Sequence, residues 1–225
     1  AEDFDIINGF LVATSVGDVT IVATDSFNIA DDSEFIDEAT TVGDISITAS
    51  GSGTGVNLGA LDEATTVGNI TVVANDDVEF DGADAATTIG NFNFTVAATK
   101  TADFNDGTFG AASSTVGSIT ATGGGTLNLT IGAATSLGDV DLSGMTTAST
   151  TALTLSNDTT TGITATLGDG ADTFVGTGGA DNITASLGAD TITAGSGDDV
   201  ITITEASGSK SVDNLIFSTV AANGN

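Results

Sequence analysis

The chain has 225 residues and a formal net charge of −29, because 31 acidic residues face only two lysines and there is no histidine. A field of this sign disfavours nucleic acid and anionic lipid as partners and favours metal cations or basic partners. Cysteine is also absent, which excludes disulfides and thiolate metal sites. The absence of histidine excludes imidazole metal sites. Only oxygen ligands remain, and these suit calcium.

No apolar run reaches the ~18 residues of a membrane span, so no transmembrane segment is expected. Hydrophobic residues nevertheless make up 40% of the chain, which favours a folded core over a disordered acidic tail. The first residues, AEDFDIING, include neither an initiator Met nor a signal-like apolar segment. This start fits either a processed subunit or an excised fragment.

A cassette of the form [TS]-[TS]-[VIL]-G recurs from the N-terminal region onward, and its glycines are spaced by 26, 25, 22, 27 and 21 residues. Repeats of this length are typical of solenoids. Each glycine precedes a stretch with an apolar residue at every second position, the pattern of a half-buried strand. We expect the cassette glycines to adopt positive φ where the chain bends. They are Gly17, Gly43, Gly68, Gly90, Gly117 and Gly138.

A second, shorter apolar pair follows each alternating stretch, for example Val56/Leu58 and Val78/Phe80. Each repeat is therefore predicted to contain two strands and two turns. One repeat cannot bury its apolar face alone, whereas stacked coils give every inward side chain a neighbour above and below. The predicted fold is all-β, a parallel β-solenoid or β-helix. The expected inward positions include Val19, Ile21, Ala23, Ile45, Ile47, Ala49, Ile70, Val72, Ala74, Phe92, Phe94 and Val96.

From Leu167 the period shortens to nine residues and is kept over four units, LGDGADTFV, GTGGADNIT, ASLGADTIT and AGSGDDVIT. In every unit glycine occupies the fourth position, aspartate the sixth and a large apolar residue the eighth. These positions match the consensus G-G-x-G-x-D-x-U-x, in which U is a large apolar residue. The matching residues are Gly170, Gly179, Gly188 and Gly197, then Asp172, Asp181, Asp190 and Asp199, and finally Phe174, Ile183, Ile192 and Ile201.

Over this segment the chain resembles the RTX family of calcium-binding repeats. The resemblance implies a parallel β-roll, in which six residues of each unit form a calcium-binding turn and three form a short strand. Two units complete one coil, so Asp172 would stack with Asp190 on one edge and Asp181 with Asp199 on the other. Glycine turns would present carbonyl oxygens to the ion, and the eighth-position side chains would fill the interior.

Stacked carboxylates favour a metal on physical grounds as well. Two of them one strand spacing apart, ~4.8 Å, repel each other by roughly 3 kcal/mol at an effective dielectric constant near 20. The chain has almost no positive charge to relieve this repulsion, whereas a divalent ion shared by successive turns converts it to attraction. We therefore expect Ca²⁺ as a cofactor that forms part of the fold.

The double glycine of the consensus is never intact, because the first two positions of the units are Leu-Gly, Gly-Thr, Ala-Ser and Ala-Gly. Those positions contribute mostly main-chain carbonyls in the family, so the changes are expected to weaken sites rather than abolish them. A degenerate closing turn is expected in GSKSVDNLI. Beyond the fourth-position glycines and sixth-position aspartates, the predicted calcium-site residues are Gly168, Asp169, Thr177, Ser186, Gly195 and Asp213.

Two other acidic clusters, DDSEFIDE at 31–38 and NDDVEFDGAD at 75–84, lack the spacing of a known calcium loop. Acidic residues on solenoid turns are usually solvated, so solvation is the favoured interpretation. Asp25, Asp76 and Asp77 occur at similar places in different repeats, which leaves ion binding open. The cassette threonines are interpreted as structural, since threonine suits strands and turns.

The change of period divides the chain into three predicted parts. These are an irregular β-solenoid in 1–160 with repeats of about 21–27 residues, an RTX-type β-roll in 161–217 and a C-terminal tail in 218–225. No flexible spacer marks the boundary, so the solenoid is expected to continue into the roll.

These features favour a secreted calcium-binding structural protein that self-assembles at the cell surface or in the extracellular matrix, similar to RTX-bearing bacterial S-layer proteins or filaments. Low calcium inside the cell would keep the acidic repeats expanded and transportable, and extracellular calcium would order them. Strand-like runs near both ends predict a homo-oligomer or polymer. A cell-surface polysaccharide is a further candidate partner.

Two other functions stay open. One is a calcium-dependent adhesin or binding module of a larger exoprotein, and the other is a polysaccharide lyase or epimerase, since some of these β-helical enzymes carry RTX modules. Such enzymes generally rely on Arg, Lys, His or Tyr, and only Lys100 and Lys210 are available here. No enzymatic activity is therefore expected. Assembly into sheets or filaments would favour the structural function, and a specific soluble ligand would favour the binding module.

Overall fold

A computed structural model describes residues 4–6, 14–25, 27–29, 39–51, 55–59, 61, 63–111, 114–132, 134–155, 161–206 and 211–217. Within these ranges the chain forms 25 strands and no helix. The first thirteen strands are β1 (Phe4–Ile6), β2 (Ser15–Val16), β3 (Val19–Ala23), β4 (Phe27–Ile29), β5 (Thr41–Val42), β6 (Ile45–Ala49), β7 (Val56–Leu58), β8 (Thr66–Val67), β9 (Ile70–Ala74), β10 (Val78–Phe80), β11 (Thr88–Ile89), β12 (Phe92–Val96) and β13 (Thr101–Phe109). The others are β14 (Ser114–Val116), β15 (Ile119–Gly123), β16 (Thr126–Ile131), β17 (Ala134–Leu137), β18 (Val140–Met145), β19 (Thr150–Thr154), β20 (Thr164–Thr166), β21 (Ala171–Val175), β22 (Asn182–Ala185), β23 (Thr191–Thr193), β24 (Val200–Ile203) and β25 (Asn214–Ile216).

The strands form three parallel sheets, of ten, nine and six strands. Within each sheet, every strand except the two at the edges pairs with strands of the preceding and following coils, so the fold is the parallel β-solenoid that the sequence predicts. In chain order, the ten-stranded sheet contains β1, β4, β7, β10, β13, β16, β19, β21, β23 and β25. The nine-stranded sheet contains β3, β6, β9, β12, β15, β18, β20, β22 and β24, and the six-stranded sheet contains β2, β5, β8, β11, β14 and β17.

The coils from β2 to β19 contain three strands, and the prediction of two was wrong. The additional strand is the cassette itself, since Thr41–Val42 and Thr66–Val67 pair as β5 and β8. Two residues are too short to show an alternation of period two, which is why the pattern did not reveal this strand. The six-stranded sheet ends with β17. From β20 onward each coil has two strands, which is the β-roll expected for the nonapeptides.

The core runs along the axis of the solenoid and is built from the predicted inward positions. Those from Ile21 to Val96 are buried, and Val19 is partly buried. Phenylalanines from neighbouring coils pack against one another in the core, where the ring of Phe109 lies edge-on to Phe80 at 5.5 Å and to Phe92 at 5.3 Å. Such edge-to-face pairs add to the stabilisation from apolar burial.

The cassette glycines from Gly43 to Gly138 serve close stacking and not positive φ, which none of the six cassette glycines has. The residue after each glycine turns its side chain toward the next coil, so that Asp18 Oδ1 accepts the N–H of Asp44 at 3.0 Å and Asp44 Oδ1 accepts the N–H of Asn69 at 2.8 Å. A Cβ on Gly68 would lie 2.5 Å from Asp44 Oδ1 and 2.7 Å from backbone of the same coil. The prediction of positive φ was therefore wrong. The glycines make room for a ladder of stacked Asp and Asn side chains.

The sheets continue from the three-stranded coils into the roll. Strand β18 pairs with β20, and β19 pairs with β21. The boundary predicted at residue 160 lies outside the described residues and stays a prediction. The same holds for the C-terminal tail from residue 218 onward.

The steric role of the cassette glycines predicts opposite outcomes for two alanine variants. Gly68→Ala should lower the free energy of unfolding by about 1–3 kcal/mol, because its Cβ has no room against the neighbouring coil. Gly17→Ala is the matched control, since no atom lies within 4 Å of a Cβ at that position. It should be neutral or slightly stabilising. Urea unfolding followed by circular dichroism measures both, and equal losses would contradict the steric role.

Candidate calcium site

The nonapeptide aspartates form two rows on opposite edges of the roll. The pairing of β21 with β23, and of β23 with β25, stacks Asp172, Asp190 and Asp213, which we name the first row. The pairing of β22 with β24 stacks Asp181 and Asp199, the second row. Residues 18 apart thus lie over one another in both rows.

Each carboxylate is turned toward the coil that precedes its own. Asp190 Oδ1 accepts the N–H of Asp172 at 2.9 Å, and Asp213 Oδ1 accepts the N–H of Asp190 at 3.1 Å. In the second row Asp199 Oδ1 accepts the N–H of Asp181 at 2.9 Å. Asp213 therefore takes its place in the first row, although 23 residues separate it from Asp190.

A second set of hydrogen bonds ties the carboxylates to their own turns. The N–H of Gly168 donates to Asp172 Oδ2 at 3.1 Å, and the N–H of Thr177 donates to Asp181 Oδ2 at 2.8 Å. The Thr177 hydroxyl donates to Asp181 Oδ1 at 2.6 Å and accepts the N–H of Gly179 at 3.2 Å. These donors fix the aspartate side chain within its turn.

The fourth-position glycines fall into two groups. Gly188 and Gly197 have φ values of 120° and 124°, a region that side chains rarely adopt. Gly170 and Gly179 do not have positive φ, but a Cβ on Gly179 would lie 2.3 Å from the nitrogen of Gly162 in the neighbouring coil. Both groups need glycine, the first for the backbone conformation and the second for close stacking.

Three further predicted site residues lie in the same turns. The Ser186 hydroxyl donates to Asp169 Oδ1 at 2.7 Å, so these two residues contact each other across neighbouring coils. Gly195 has a φ of 107° at the second position of its unit. The structure thus brings all the predicted residues into the turns or rows, while their part in binding calcium stays a prediction.

Burial in the first row works against ionisation. Asp172 is 2% exposed and Asp190 is 1% exposed. Burial raises the pKa of Asp172, and hydrogen bonding offsets part of this effect. Burial raises the pKa of Asp190 to about 6, and the charges of Asp172, Asp213 and Glu205 make smaller contributions in the same direction. The hydrogen bond from the N–H of Asp172 lowers this pKa and offsets part of the effect. The row is therefore costly to ionise without a cation.

Two carboxylate oxygens of the first row, Asp172 Oδ1 and Asp190 Oδ2, are buried and have no hydrogen-bond partner. A buried oxygen without a donor points to a bound ion or water. Calcium fits, since it takes six to eight oxygen ligands from carboxylates, carbonyls and water. No three acidic side chains converge on one point within the described ranges. A site here would therefore combine paired carboxylates with main-chain carbonyls and water.

The second row differs from the first at its start. Asp181 Oδ1 accepts the N–H of Ile163 at 3.0 Å in addition to the Thr177 hydroxyl, so both oxygens of Asp181 have donors. Among the described nonapeptide residues, the buried carboxylate oxygens without a hydrogen-bond partner thus lie in the first row. The two edges of the roll are chemically unequal.

The acidic cluster at 75–84 uses a lysine. Buried Asp76 forms an ion pair with Lys100, whose hydrogen bond lowers the pKa of Asp76. Neighbouring Asp77 accepts the N–H of Thr101 at 2.8 Å through Oδ1. The interpretation of this cluster as solvated was wrong for Asp76, which is buried. The ion pair with Lys100 offsets the charge of Asp76, while Asp76 Oδ2 is buried without a hydrogen-bond partner. The cluster at 31–38 lies outside the described residues.

Two residues that the sequence did not single out adjoin the first row. Thr151 is paired in register with Asp172, and Glu205 contributes to the raised pKa of Asp190. Thr151 precedes the first nonapeptide, and Glu205 lies where the nine-residue period is lost. Because neither belongs to the period, only the pairing of the coils brings them to the row.

A parallel β-solenoid that ends in a roll with buried rows of aspartates defines a calcium-binding β-roll protein. The family model for the RTX calcium-binding nonapeptide repeat matches residues 166–201 in four copies. Residues 166–201 thus form a segment of RTX-type nonapeptide repeats, and such repeats bind Ca²⁺. Searches of curated proteins and of solved structures found no match. In the described residues we find no helix that is long and apolar enough to cross a membrane.

The raised pKa of Asp190 predicts how the calcium-free protein responds to pH. Its folded-state pKa of about 6 lies above the ordinary value of 3.8, so between these values the folded chain binds the proton more tightly than the unfolded chain. This stabilisation is fully present below the ordinary pKa and is lost as the pH rises through 6. In chelator, the free energy of unfolding should be higher at about pH 5 than at about pH 7.5, by on the order of 1–3 kcal/mol.

Thermal and urea unfolding at the two pH values would measure this difference. Asp190→Asn should remove most of it, because the amide stays neutral. Asp198→Asn, which removes a charge from an exposed position beside Asp199 of the second row, should keep it. If Asp190→Asn kept the pH dependence of the parent chain, the assignment to Asp190 would be wrong. In calcium the dependence should reverse, since the ion needs ionised carboxylates.

Proposed function

We propose that this chain is a secreted structural protein that calcium orders and that then assembles with copies of itself, at the cell surface or in the extracellular matrix, as an S-layer or filament subunit. The observation that carries this proposal is the first row, a line of buried carboxylates with unpaired oxygens. RTX repeat proteins are typically secreted, and the RTX roll and the β-solenoid are typical of structural or binding proteins.

The residues of the roll explain why its order would depend on calcium. Without the ion, Asp172 and Asp190 are held one strand spacing apart and repel each other. Calcium, when bound, supplies the positive charge that these rows lack. The N–H donors of the turns hold the carboxylates in place for it. Since extracellular modules bind calcium at about 10⁻⁴–10⁻³ M, the roll would fold after export.

The last coil supplies the support for self-assembly. Among the described residues, five of the six large apolar side chains that are exposed lie between positions 200 and 217. Val212 is 85% exposed and Phe217 is 73% exposed. Strands β24 and β25 are the last strands of their sheets. Exposed apolar side chains beside sheet edges favour strand addition by another chain, here a second copy.

A binding-module function is the second candidate, and a groove on the ten-stranded sheet favours it. The groove has a volume of about 240 Å³ and is lined by both polar and apolar groups. Its acidic and amide groups suit a ligand rich in hydroxyl or cationic groups. It is lined by Val56, Asn57, Asp77, Val78, Glu79, Thr101 and Asp103.

Removal of calcium should affect the two parts of the chain differently. In chelator, amides of residues 161–206 and 211–217 should lose protection from hydrogen exchange, because the carboxylate rows repel. Amides of residues 63–111 should stay protected, since apolar side chains and the Asp76–Lys100 pair stabilise those coils without metal. Hydrogen exchange read by mass spectrometry, with and without calcium, measures both. Unchanged protection of the roll would contradict a structural role for calcium.

Assembly should depend on both calcium and the last coil. The parent chain should form polymers in millimolar calcium, visible by light scattering and electron microscopy. The double variant Val212→Asp/Phe217→Asp should stay small, because the added charges oppose apolar contact at that surface. Val22→Asp changes an equally large apolar side chain, 65% exposed on the nine-stranded sheet, and should assemble like the parent. A parent chain that stays monomeric in calcium would rule out the assembly proposal.

A further inference from the structure

The first row continues a column of the core, and its first polar member is Thr151. In the three-stranded coils this inward column is apolar, since Val78 pairs with Ala102 and Ala102 pairs with Leu127. Leu127 then pairs with Thr151, and Thr151 pairs with Asp172. The column therefore becomes polar one coil before the first nonapeptide, at a residue that the RTX match at 166–201 does not include.

The carboxylates of the first row turn toward the preceding coil, which places the Asp172 carboxylate between its own coil and that of Thr151. Asp190 and Asp213 each accept an N–H from the preceding coil. Asp172 repeats this arrangement, and the N–H and hydroxyl of Thr151 both lower its pKa. We name the space between Thr151 and the Asp172 carboxylate the first slot of the row. It lies at the junction between the last three-stranded coil and the roll.

Two oxygens in this slot have no hydrogen-bond partner. Thr151 is 1% exposed, and its Oγ1 is unpaired, as is Asp172 Oδ1. The hydroxyl lies close enough to influence the carboxylate, but the pair does not reach hydrogen-bond geometry. Two buried oxygens in one slot that lack a well-formed hydrogen bond favour a cation or a water beside them.

The turn beneath the slot supplies further oxygen atoms. The carbonyl of Met145 accepts the N–H of Asp169 at 3.0 Å, so the turns of the two coils lie directly on each other. The carbonyl of buried Ser149 lies so near Gly170 that a Cβ there would approach it to 2.3 Å. Lys100 is the one lysine among the described residues. It pairs with Asp76 and so does not neutralise the carboxylate of Asp172.

We propose that a calcium ion binds at this junction, held by the carboxylate of Asp172, the hydroxyl of Thr151 and main-chain carbonyls of the turn at 145–149, with water in the remaining positions. Calcium accepts neutral oxygen ligands of this kind beside a carboxylate. The site would join the three-stranded coils to the roll by metal, in addition to the hydrogen bonds of the sheets. This inference rests on the proposed function, because it needs a roll that calcium orders.

The test counts calcium ions in native mass spectrometry of the full chain and measures the increase in melting temperature that calcium produces. Thr151→Val removes the oxygen and keeps the side-chain shape, so the variant should bind one ion fewer than the parent and gain less from calcium. Thr151→Ser keeps the oxygen and should bind the parental number. Thr150→Val, at the exposed neighbouring position, should also match the parent.

An unchanged ion count and calcium response in Thr151→Val would overturn the junction site and would indicate a bridging water instead. If that variant did not fold, Thr151→Ala takes its place, with the same loss expected relative to Thr151→Ser. These outcomes differ from a failure of the proposed function. A parent chain that binds no calcium would refute both ideas, whereas a parent that binds calcium and tolerates Thr151→Val would refute the junction site alone.

Discussion

Repetition of the coil places each side chain against a similar one in the next coil, and the rest of the structure depends on this constraint. For apolar side chains the result is favourable, because ladders such as Ile45, Ile70 and Phe92 share one buried column. For carboxylates the same register stacks like charges one strand spacing apart. Every acidic column in this chain therefore requires some means of reducing or compensating its charge.

The structure shows two such means in the three-stranded coils. In the ladder that follows the cassette glycines, Asp18 and Asp44 give way to Asn69 and Asn91, so neutral amides accept the same N–H bonds. At the turn of Asp76, a lysine from the next coil provides the opposite charge. The amides lower the number of negative charges in the ladder, and the ammonium group of Lys100 neutralises Asp76. Neither arrangement requires metal.

Among the described residues, the first row of the roll contains neither device. Asp172, Asp190 and Asp213 succeed one another without an amide between them, and burial raises the pKa of the first two. The free energy of binding calcium there is at the same time free energy of folding. One solenoid thus combines coils that are stable through their own side chains with coils whose order is linked to an external ion. In the proposed function this difference separates export from assembly.

The parts of the fold that follow a local pattern could be predicted. Alternation identified the inward positions of the long strands, and the nine-residue period identified the pairs of stacked aspartates. The cassette strands were missed because two residues show no period. The cassette glycines were misinterpreted because their neighbours come from another coil. Glu205 was missed because the period has ended where it lies.

The sequence by itself therefore determined the solenoid, its inward faces and the identity of the calcium-binding repeats, since each of these is written in residues close together in the chain. Only the tertiary structure decided which atoms meet between coils. Contacts of this kind join residues separated by 17 to 28 positions, and the interval changes from coil to coil. The position of Thr151 beneath Asp172 follows from that changing interval, because no repeated spacing in the sequence connects the two residues.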